Sequence, residues 1–177
     1  NQGWGDTKTA LAAIRGIEDR VDVVEQPVDK NRLDDLERLR RRTDVKIMPD
    51  ESVESPSDVL ELIERGAGDM YNIKLMKTGG IAEAIRLDAI ADAAGRPTQI
   101  GSMVEGHVGT AAGVHFALAR GNVVWNEMVG PFMTETGIGD LETDRPTVTV
   151  DGPGLGVSVD RNALADLRTS RTEVTDE

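Results

Sequence analysis

The sequence contains no cysteine. Disulfide bonds and thiolate metal sites are therefore excluded, and a chain of this kind fits a reducing compartment, so we expect a cytoplasmic protein. No apolar run approaches the ~20 residues that a membrane-spanning helix needs, and no signal-peptide pattern is visible. We therefore expect no membrane partner.

Positive charge is scarce. Twenty lysines and arginines face 32 aspartates and glutamates, which gives a formal net charge of −12. Such a surface repels nucleic acid and anionic lipid, so we expect neither as a partner. Only five of the basic residues are lysines. An acidic, lysine-poor surface suits a salt-rich cytosol and favours a halophilic source, although an ordinary acidic protein fits as well.

A repeat of about 25 residues runs through the first 127 positions. Short apolar runs end at five polar residues, which are separated by 25, 24, 28 and 25 positions: Glu25, Asp50, Lys74, Ser102 and Glu127. A helical pattern follows most of these runs, so each period holds one strand and one helix. The repeat predicts βα units of a parallel barrel.

The chain is short for a complete barrel. With 177 residues it falls below the length of about 250 typical of a (β/α)8 barrel, and the repeat accounts for about five units. It also begins with Asn1 rather than methionine. We therefore expect a fragment of a longer protein.

The repeat also predicts a site. In a parallel barrel the carboxyl ends of all strands meet at one rim, so Glu25, Asp50, Lys74 and Glu127 should lie close together. Carboxylates are the hard oxygen ligands that Mg²⁺ prefers. Lysine, unlike arginine, can serve as a base once its pKa is lowered. A competing interpretation is structural. In it the acids at the strand ends cap helices or are solvated, and Lys74 is an ordinary solvated lysine.

Two other patterns favour structural roles. His107 begins a predicted helix and His115 lies within it. The stretch from Lys77 to Gly80 resembles a phosphate-binding loop only superficially, because that loop needs its glycines before the Lys-Thr pair. We interpret Thr78 and the two glycines as a helix cap and a close contact between helix and sheet.

Six short motifs together resemble the enolase superfamily, and within it the muconate-lactonizing (mandelate racemase/muconate lactonizing enzyme) subgroup. They are Asn1-Gln2-Gly3-Trp4, Val24-Glu25-Gln26-Pro27, Pro49-Asp50-Glu51-Ser52, the stretch from Asn72 to Gly80, Gly101-Ser102-Met103-Val104-Glu105 and Gly154-Leu155-Gly156-Val157. This subgroup includes muconate cycloisomerases, dipeptide epimerases and o-succinylbenzoate synthases.

The resemblance implies an α/β fold, a partial TIM-type (β/α)7β barrel with about five of its eight strands. The N-terminal α+β capping domain would be absent from this chain. Residues 1–130 would form the C-terminal part of the barrel, and residues 131–177 would pack back toward the missing capping domain. A homo-oligomer is implied for the full-length protein.

The resemblance also implies roles for individual residues. Glu25 and Asp50 match the second and third ligands of a Mg²⁺ ion, for which Mn²⁺ could substitute. Lys74 matches the acid/base lysine of the sixth strand and Glu127 an acidic position of the eighth. A further set would lie around the substrate, namely Glu51, Ser102 and Met103. The first metal ligand and the opposing Lys-x-Lys motif would precede Asn1.

The reaction implied is isomerisation of a small carboxylate substrate, in which its α-proton is removed and Mg²⁺ stabilises the enediolate. The substrate is less defined. The stretch from Asn72 to Gly80 is similar to dipeptide epimerases, whose eighth strand carries Asp-x-Asp for the substrate ammonium. Here Val129 replaces the second acid, which favours a muconate cycloisomerase-like substrate without that ammonium, with a dipeptide (Ala-Glu) epimerase-like activity as a close second. The alternatives are an o-succinylbenzoate synthase-type dehydratase and a non-catalytic interaction module.

Overall fold

The computed structural model describes residues 1–133, 138–144, 146–167 and 169. Its elements alternate along the chain, with bounds as follows: α1 Thr7–Arg15, β1 Val23–Glu25, α2 Leu33–Arg40, β2 Lys46–Met48, α3 Pro56–Arg65, β3 Tyr71–Ile73, α4 Leu75–Thr78, α5 Ile81–Ala93, β4 Thr98–Ile100, α6 His107–Ala119, β5 Val123–Asn126, α7 Gly130–Met133, β6 Glu142–Asp144, β7 Thr147–Thr149 and α8 Arg161–Leu167.

Five parallel strands follow one another in chain order. β1 pairs with β2, and β3 pairs with β4, which pairs with β5. Backbone hydrogen bonds bridge the gap between β2 and β3, from the Asn72 N–H to the Pro49 carbonyl (3.0 Å) and from the Asp69 N–H to that of Ile47 (2.8 Å). The strands expected from the repeat are therefore confirmed, and within the described residues the sheet is an open arc rather than a closed barrel.

The strands bury one face against the helices. Outward-facing residues of β1, β2 and β3 belong to one hydrophobic core with apolar residues of α1, α2, α3 and α5: among them are Val24, Ile47, Ile73, Ile14, Leu36, Leu62 and Leu87. Alternate strand residues point the other way, into the concave side of the arc. Val23, Glu25 and Asn72 lie on that inner face, as the alternation predicts.

The helix between the second and third strands, α3, has a well-defined cap at each end. Ser55 caps α3, and its hydroxyl accepts the Asp58 N–H while the Asp58 carboxylate accepts the Ser55 N–H. Pro56 occupies the first helical turn, where its missing N–H costs nothing. Gly66 ends the helix in the left-handed conformation that glycine tolerates (φ 66°). The sequence predicts a helix that begins at Pro56 and ends near Gly66, and these features confirm both boundaries.

Two local predictions from the sequence were wrong, namely that Asn31 caps α2 and that residues 156–159 form a strand. Asn31 does not cap α2, because its side chain donates to Asp29 and the capping position falls on Arg32 without a side-chain hydrogen bond. The strand expected over residues 156–159 is reduced to a single antiparallel bridge between Gly139 and Val159. Three positive-φ glycines at 152, 154 and 156 keep the preceding segment in turns.

A buried acid ties the elements together at the end of the sheet opposite the strand carboxyl termini. Asp88 of α5 is fully buried, yet its carboxylate accepts from Thr98 Oγ1 (2.7 Å), Arg120 Nε (2.7 Å) and Asn122 Nδ2 (3.1 Å). Buried charge is tolerated when it is paired and hydrogen-bonded. Asp88 thus joins α5 to the start of β4 and to the segment before β5.

Beyond residue 130 the repeat stops. A short helix, α7, is followed by the antiparallel pair β6–β7 and by α8, which exposes Leu164 and Leu167. The segment expected to pack back toward a capping domain, residues 131–177, includes positions 134–137, 145, 168 and 170–177, which lie outside the described residues. None of the described helices is long and apolar enough to cross a membrane.

Candidate functional site

Three predicted site residues meet at the carboxyl ends of neighbouring strands. Glu25 is the last residue of β1, Asp50 follows β2 by two residues, and Lys74 follows β3 directly. Asp50 is fully buried and Lys74 almost so, with 0% and 8% exposure. The residues that recur about every 25 positions therefore lie close together, because parallel strands end at one rim.

Asp50 lies between two lysines. Lys74 Nζ is 2.6 Å from Asp50 Oδ2, and Lys77 Nζ is 2.5 Å from Asp50 Oδ1. Lys77 also donates to the backbone carbonyl of Asp50. The backbone is fixed as well, because the Asp50 N–H donates to Oε1 of the buried Gln26 at 2.8 Å. Asp50 is thus fixed on each side by hydrogen bonds.

Glu25 is held by amides instead. Its Oε1 accepts from Asn1 Nδ2 at 2.9 Å and from Asn72 Nδ2 at 3.1 Å. The Asn1 amide nitrogen also reaches Asp50 Oδ2 at 2.7 Å and Glu51 Oε2 at 3.3 Å. Oxygens of three carboxylates therefore lie within 3.3 Å of one N–H₂ nitrogen, and two lysines balance the charge of Asp50 among them.

The ionisation of this cluster follows from burial and from its neighbours. Burial, and then the hydrogen bond with Asp50, raises the pKa of Glu25. Burial opposes ionisation of Asp50, but the hydrogen bond with Glu25 and the charge of Lys77 hold its pKa below the ordinary value. For Lys74 burial is outweighed by the hydrogen bond to Asp50, so its pKa is raised. Burial lowers the pKa of Lys77.

The donor set suits Mg²⁺ in kind. Glu25 and Asp50 offer carboxylate oxygens from adjacent strand ends, and Mg²⁺ binds through one or two carboxylates while it keeps several waters. Among the described residues no group of three or more histidine, cysteine, aspartate or glutamate side chains is arranged to hold a metal ion. Glu25 and Asp50 could each contribute one carboxylate to such an ion, which would need further ligands, such as water, to complete its coordination.

The other predicted site residues lie further out on the same rim. Glu127 follows β5 directly and is exposed, and its charge is among those that raise the pKa of Lys74. Ser102 follows β4, but its hydroxyl donates to Glu105 Oε2 at 2.5 Å. Met103 is 48% exposed. Glu51 contacts the cluster through Asn1, and its charge acts on Lys77.

Lys77 and Asn72, like Asn1 and Gln26, are residues of the site to which the sequence assigned no role. Lys77 was visible only as a lysine one helical turn after Lys74, and such a neighbour at i,i+3 shares a face with it. Asn72 was visible only as an inner-face residue two positions before Lys74. Their partners, Asp50 and Glu25, lie 27 and 47 residues away. Nothing in the local sequence states which distant carboxylate each would meet.

Parallel strands that present carboxylates and a lysine at one rim define an incomplete (β/α) barrel with an enzyme-like site. The chain belongs to the enolase superfamily, in its mandelate racemase/muconate lactonizing subgroup, because residues 1–163 match the family described as "Enolase C-terminal domain-like". The resemblance seen in the six short motifs is thereby confirmed.

Characterised relatives include several isomerases. The chain is 37% identical over 169 residues to the N-succinyl-L-Arg/Lys racemase of Bacillus cereus, covering 94% of this chain and 46% of the relative. It is 39% identical over 163 residues to the L-Ala-D/L-Glu epimerase of Bacillus subtilis, covering 89% and 44%. Muconate cycloisomerase 1 of Rhodococcus opacus is 36% identical over 169 residues, covering 93% and 45%.

Solved structures agree. The N-succinyl Arg/Lys racemase of Bacillus cereus superposes with a TM-score of 0.92 at 36% identity, over 96% of this chain and 47% of that one. The dipeptide epimerase of Enterococcus faecalis, complexed with Mg and the dipeptide L-Leu-L-Tyr, superposes with a TM-score of 0.85 at 35% identity, over 89% of this chain and 46% of that one. The chain thus spans about half the length of the relatives it matches.

Proposed function

We propose that this chain supplies part of the barrel of a Mg²⁺-dependent isomerase that acts at the α-carbon of a carboxylate substrate. The observation that carries the proposal is the placement of Lys74. Its ammonium group lies on a buried rim against Asp50, one strand away from Asp50 and two from Glu25. A base and a pair of carboxylates are the parts that such a reaction needs.

Each residue has a distinct task in this proposal. Glu25 and Asp50 bind Mg²⁺, which when bound stabilises the negative charge that develops on the substrate carboxylate as its α-proton leaves. Lys74 accepts that proton at Nζ. Inversion then requires protonation of the opposite face by a second acid, whereas protonation by Lys74 restores the starting configuration. To act as a base Lys74 must lose its proton, which its hydrogen bond to the Asp50 carboxylate opposes. Engagement of Asp50 by a cation would weaken that opposition.

The test uses the full-length protein that contains this chain. Exchange of the substrate α-proton with deuterated solvent reports proton removal directly. We expect Lys74→Ala to eliminate exchange on one face of the substrate and turnover with it, while Mg²⁺ affinity is retained. Lys74→Arg is the matched control for charge, because arginine pairs with Asp50 but does not release its proton. It should be as inactive as Lys74→Ala.

Other outcomes would point elsewhere. Exchange that persists on both faces in Lys74→Ala would contradict the role of Lys74. If neither Glu25→Gln nor Asp50→Asn changed any activity, the chain would instead be a non-catalytic interaction module. Loss of water from the substrate, without epimerisation or cyclisation, would identify a dehydratase of the o-succinylbenzoate synthase type.

For the substrate we propose a carboxylate without a free ammonium beside Glu127. One acid stands at the end of β5, and Val129 follows where a second acid would pair with such a cation. An ammonium left unpaired in a closed site is costly. cis,cis-Muconates and N-succinyl amino acids both lack that ammonium, whereas dipeptides carry it. A parallel screen of the three classes tests this, and rapid epimerisation of Ala-Glu would overturn the preference.

A further inference from the structure

Asn72 makes hydrogen bonds to all three strand ends of the candidate site. Its side chain donates from Nδ2 to Glu25 Oε1 at 3.1 Å. Its backbone N–H donates to the carbonyl of Pro49, next to Asp50, at 3.0 Å, and its own carbonyl accepts from Lys77 Nζ at 3.4 Å. One residue thus touches the segments that carry both candidate metal ligands.

Burial and close packing restrict the side chain of Asn72. The residue is fully buried, and it lies at the centre of the arc, on the inner face that it shares with Lys74. A Cβ added at Gly101 would come within 2.8 Å of Asn72 Nδ2 and 2.9 Å of Lys74 Cε, and it would also collide with Asn72 Oδ1. Glycine at 101 therefore leaves the space that Asn72 and Lys74 occupy.

An amide suits this position for a physical reason. Glu25 has to offer an oxygen to a cation, so it needs a donor that fixes its orientation without neutralising its charge. A neutral N–H₂ does this, whereas a lysine would compete with the cation and an aspartate would repel Glu25. The Asn72 hydrogen bond engages Oε1 and leaves Oε2 available. Such outer hydrogen bonds orient metal ligands and affect affinity.

We propose that Asn72 is a positioning residue of the metal site, which orients Glu25 through its amide in the space that Gly101 leaves open. The inference rests on the proposed function, because it assumes that Glu25 binds a divalent cation. It assigns no contact between Asn72 and the substrate. Its effect should therefore be seen in cation affinity before it is seen in chemistry.

The experiment measures Mg²⁺ binding by calorimetry and Mn²⁺ binding by electron paramagnetic resonance, on the full-length protein without substrate. Asn72→Leu is the main variant, since leucine has nearly the shape of asparagine and lacks the donor. Asn72→Ala is the second variant and tests whether the result depends on shape. We expect both to bind either cation about ten- to a hundredfold more weakly.

Gln99→Ala provides the matched control. Gln99 is a buried amide on β4 that stands opposite Asn72 in the strand register, and it has no hydrogen bond to Glu25. Its removal should leave cation affinity within about twofold. A kinetic reading adds a second test, because at saturating Mg²⁺ the Asn72→Leu enzyme should recover most of its kcat.

The outcomes separate the two proposals. If the unaltered protein binds no divalent cation, the proposed function fails and this inference fails with it. If the unaltered protein binds Mg²⁺ and Glu25→Gln abolishes binding, but Asn72→Leu and Asn72→Ala bind normally, only the role of Asn72 is overturned. Equal weakening by Gln99→Ala would also overturn it, since the loss would then reflect packing of the inner face.

Discussion

The ammonium group of Lys77 holds Asp50 at two points, because it lies 2.5 Å from the carboxylate Oδ1 and also reaches the backbone carbonyl of the same residue. Both side chains are largely buried, with exposures of 10% and 1%. The other carboxylate oxygen faces Lys74. Without a bound cation, the fold therefore balances the buried charge of Asp50 with its own lysines.

Replacing Lys77 should destabilise the metal-free protein. Removing one partner of a buried ion pair costs about 3 to 5 kcal/mol. Because Lys74 still faces Asp50, and because the burial that lowers the pKa of Lys77 offsets part of the gain from the pair, we expect Lys77→Met to lower the free energy of unfolding by about 2 kcal/mol. Added Mg²⁺ should restore part of this loss, since it supplies positive charge to the same carboxylate. Urea unfolding of the full-length protein with and without Mg²⁺ measures both effects.

Lys30→Met serves as the control for that measurement. Lys30 forms an exposed ion pair with Glu54, and exposed pairs contribute little. An unfolding midpoint that moves equally in both variants, or a Lys77→Met loss that Mg²⁺ leaves unchanged, would show that Lys77 does not serve Asp50 in the way described.

Glu25→Gln should stabilise the metal-free protein while it removes metal binding. The pKa of Glu25 is raised in the folded state by burial and by Asp50, so its ionised form is disfavoured there. This penalty is absent below the unfolded-state pKa, near 4.5, and fully present once the pH exceeds the raised value. Glutamine avoids the penalty, and its amide oxygen can still accept from Asn72.

A pH series of thermal melts tests the sign of this effect. The Tm difference between Glu25→Gln and the unaltered protein should grow as pH rises through the acidic range toward neutrality, and it should disappear at a pH below the ordinary carboxyl value. A difference that is larger in acid than at neutral pH would contradict the raised pKa.

The cap of α3 offers a prediction about stability alone. Ser55→Ala removes the hydroxyl that accepts the Asp58 N–H and should cost about 1 kcal/mol of unfolding free energy. Ser55→Gly, which frees the same N–H to bind water, should cost only a few tenths of a kcal/mol. Activity of the full-length protein should be unchanged in both. Equal losses for alanine and glycine would contradict the capping assignment.

The 177 residues expressed alone should fold poorly and show no activity. β5 has one neighbouring strand in the described part of the chain, and Val124 on it is 53% exposed. Open strand edges recruit other chains. We therefore expect self-association in light-scattering measurements, relieved when the remainder of the protein is supplied in trans. A monomer with a cooperative melt and full activity would refute this expectation.

The sequence predicts most of the arc because its signals are local and repeated. Each strand from β1 to β5 ends within two residues of a polar residue of the repeat. Ser55, Pro56 and Gly66 mark the two ends of α3. The cap of α2 was mispredicted because Asn31 has a nearer partner in Asp29, and side chains of this type choose among competing local hydrogen bonds.

The sequence predicted which strand-end residues lie together in the site, but not the hydrogen bonds that hold them. Regular spacing placed Glu25, Asp50 and Lys74 together, since strand period and parallel pairing suffice for that. It could not show that Lys77 would hold Asp50 or that Asn72 would hold Glu25. Those contacts depend on the relative height and twist of neighbouring strands, which are fixed only when the whole core packs.

The buried hydrogen-bond centre at Asp88 has a consequence for how such a chain can change over time. It fastens α5, the start of β4 and the segment before β5 at the end of the sheet that lies away from Lys74. Substitutions among the rim residues, such as Glu127 or Met103, leave every one of those bonds intact. New specificities can therefore be sampled on one end of the molecule while the other end keeps it folded.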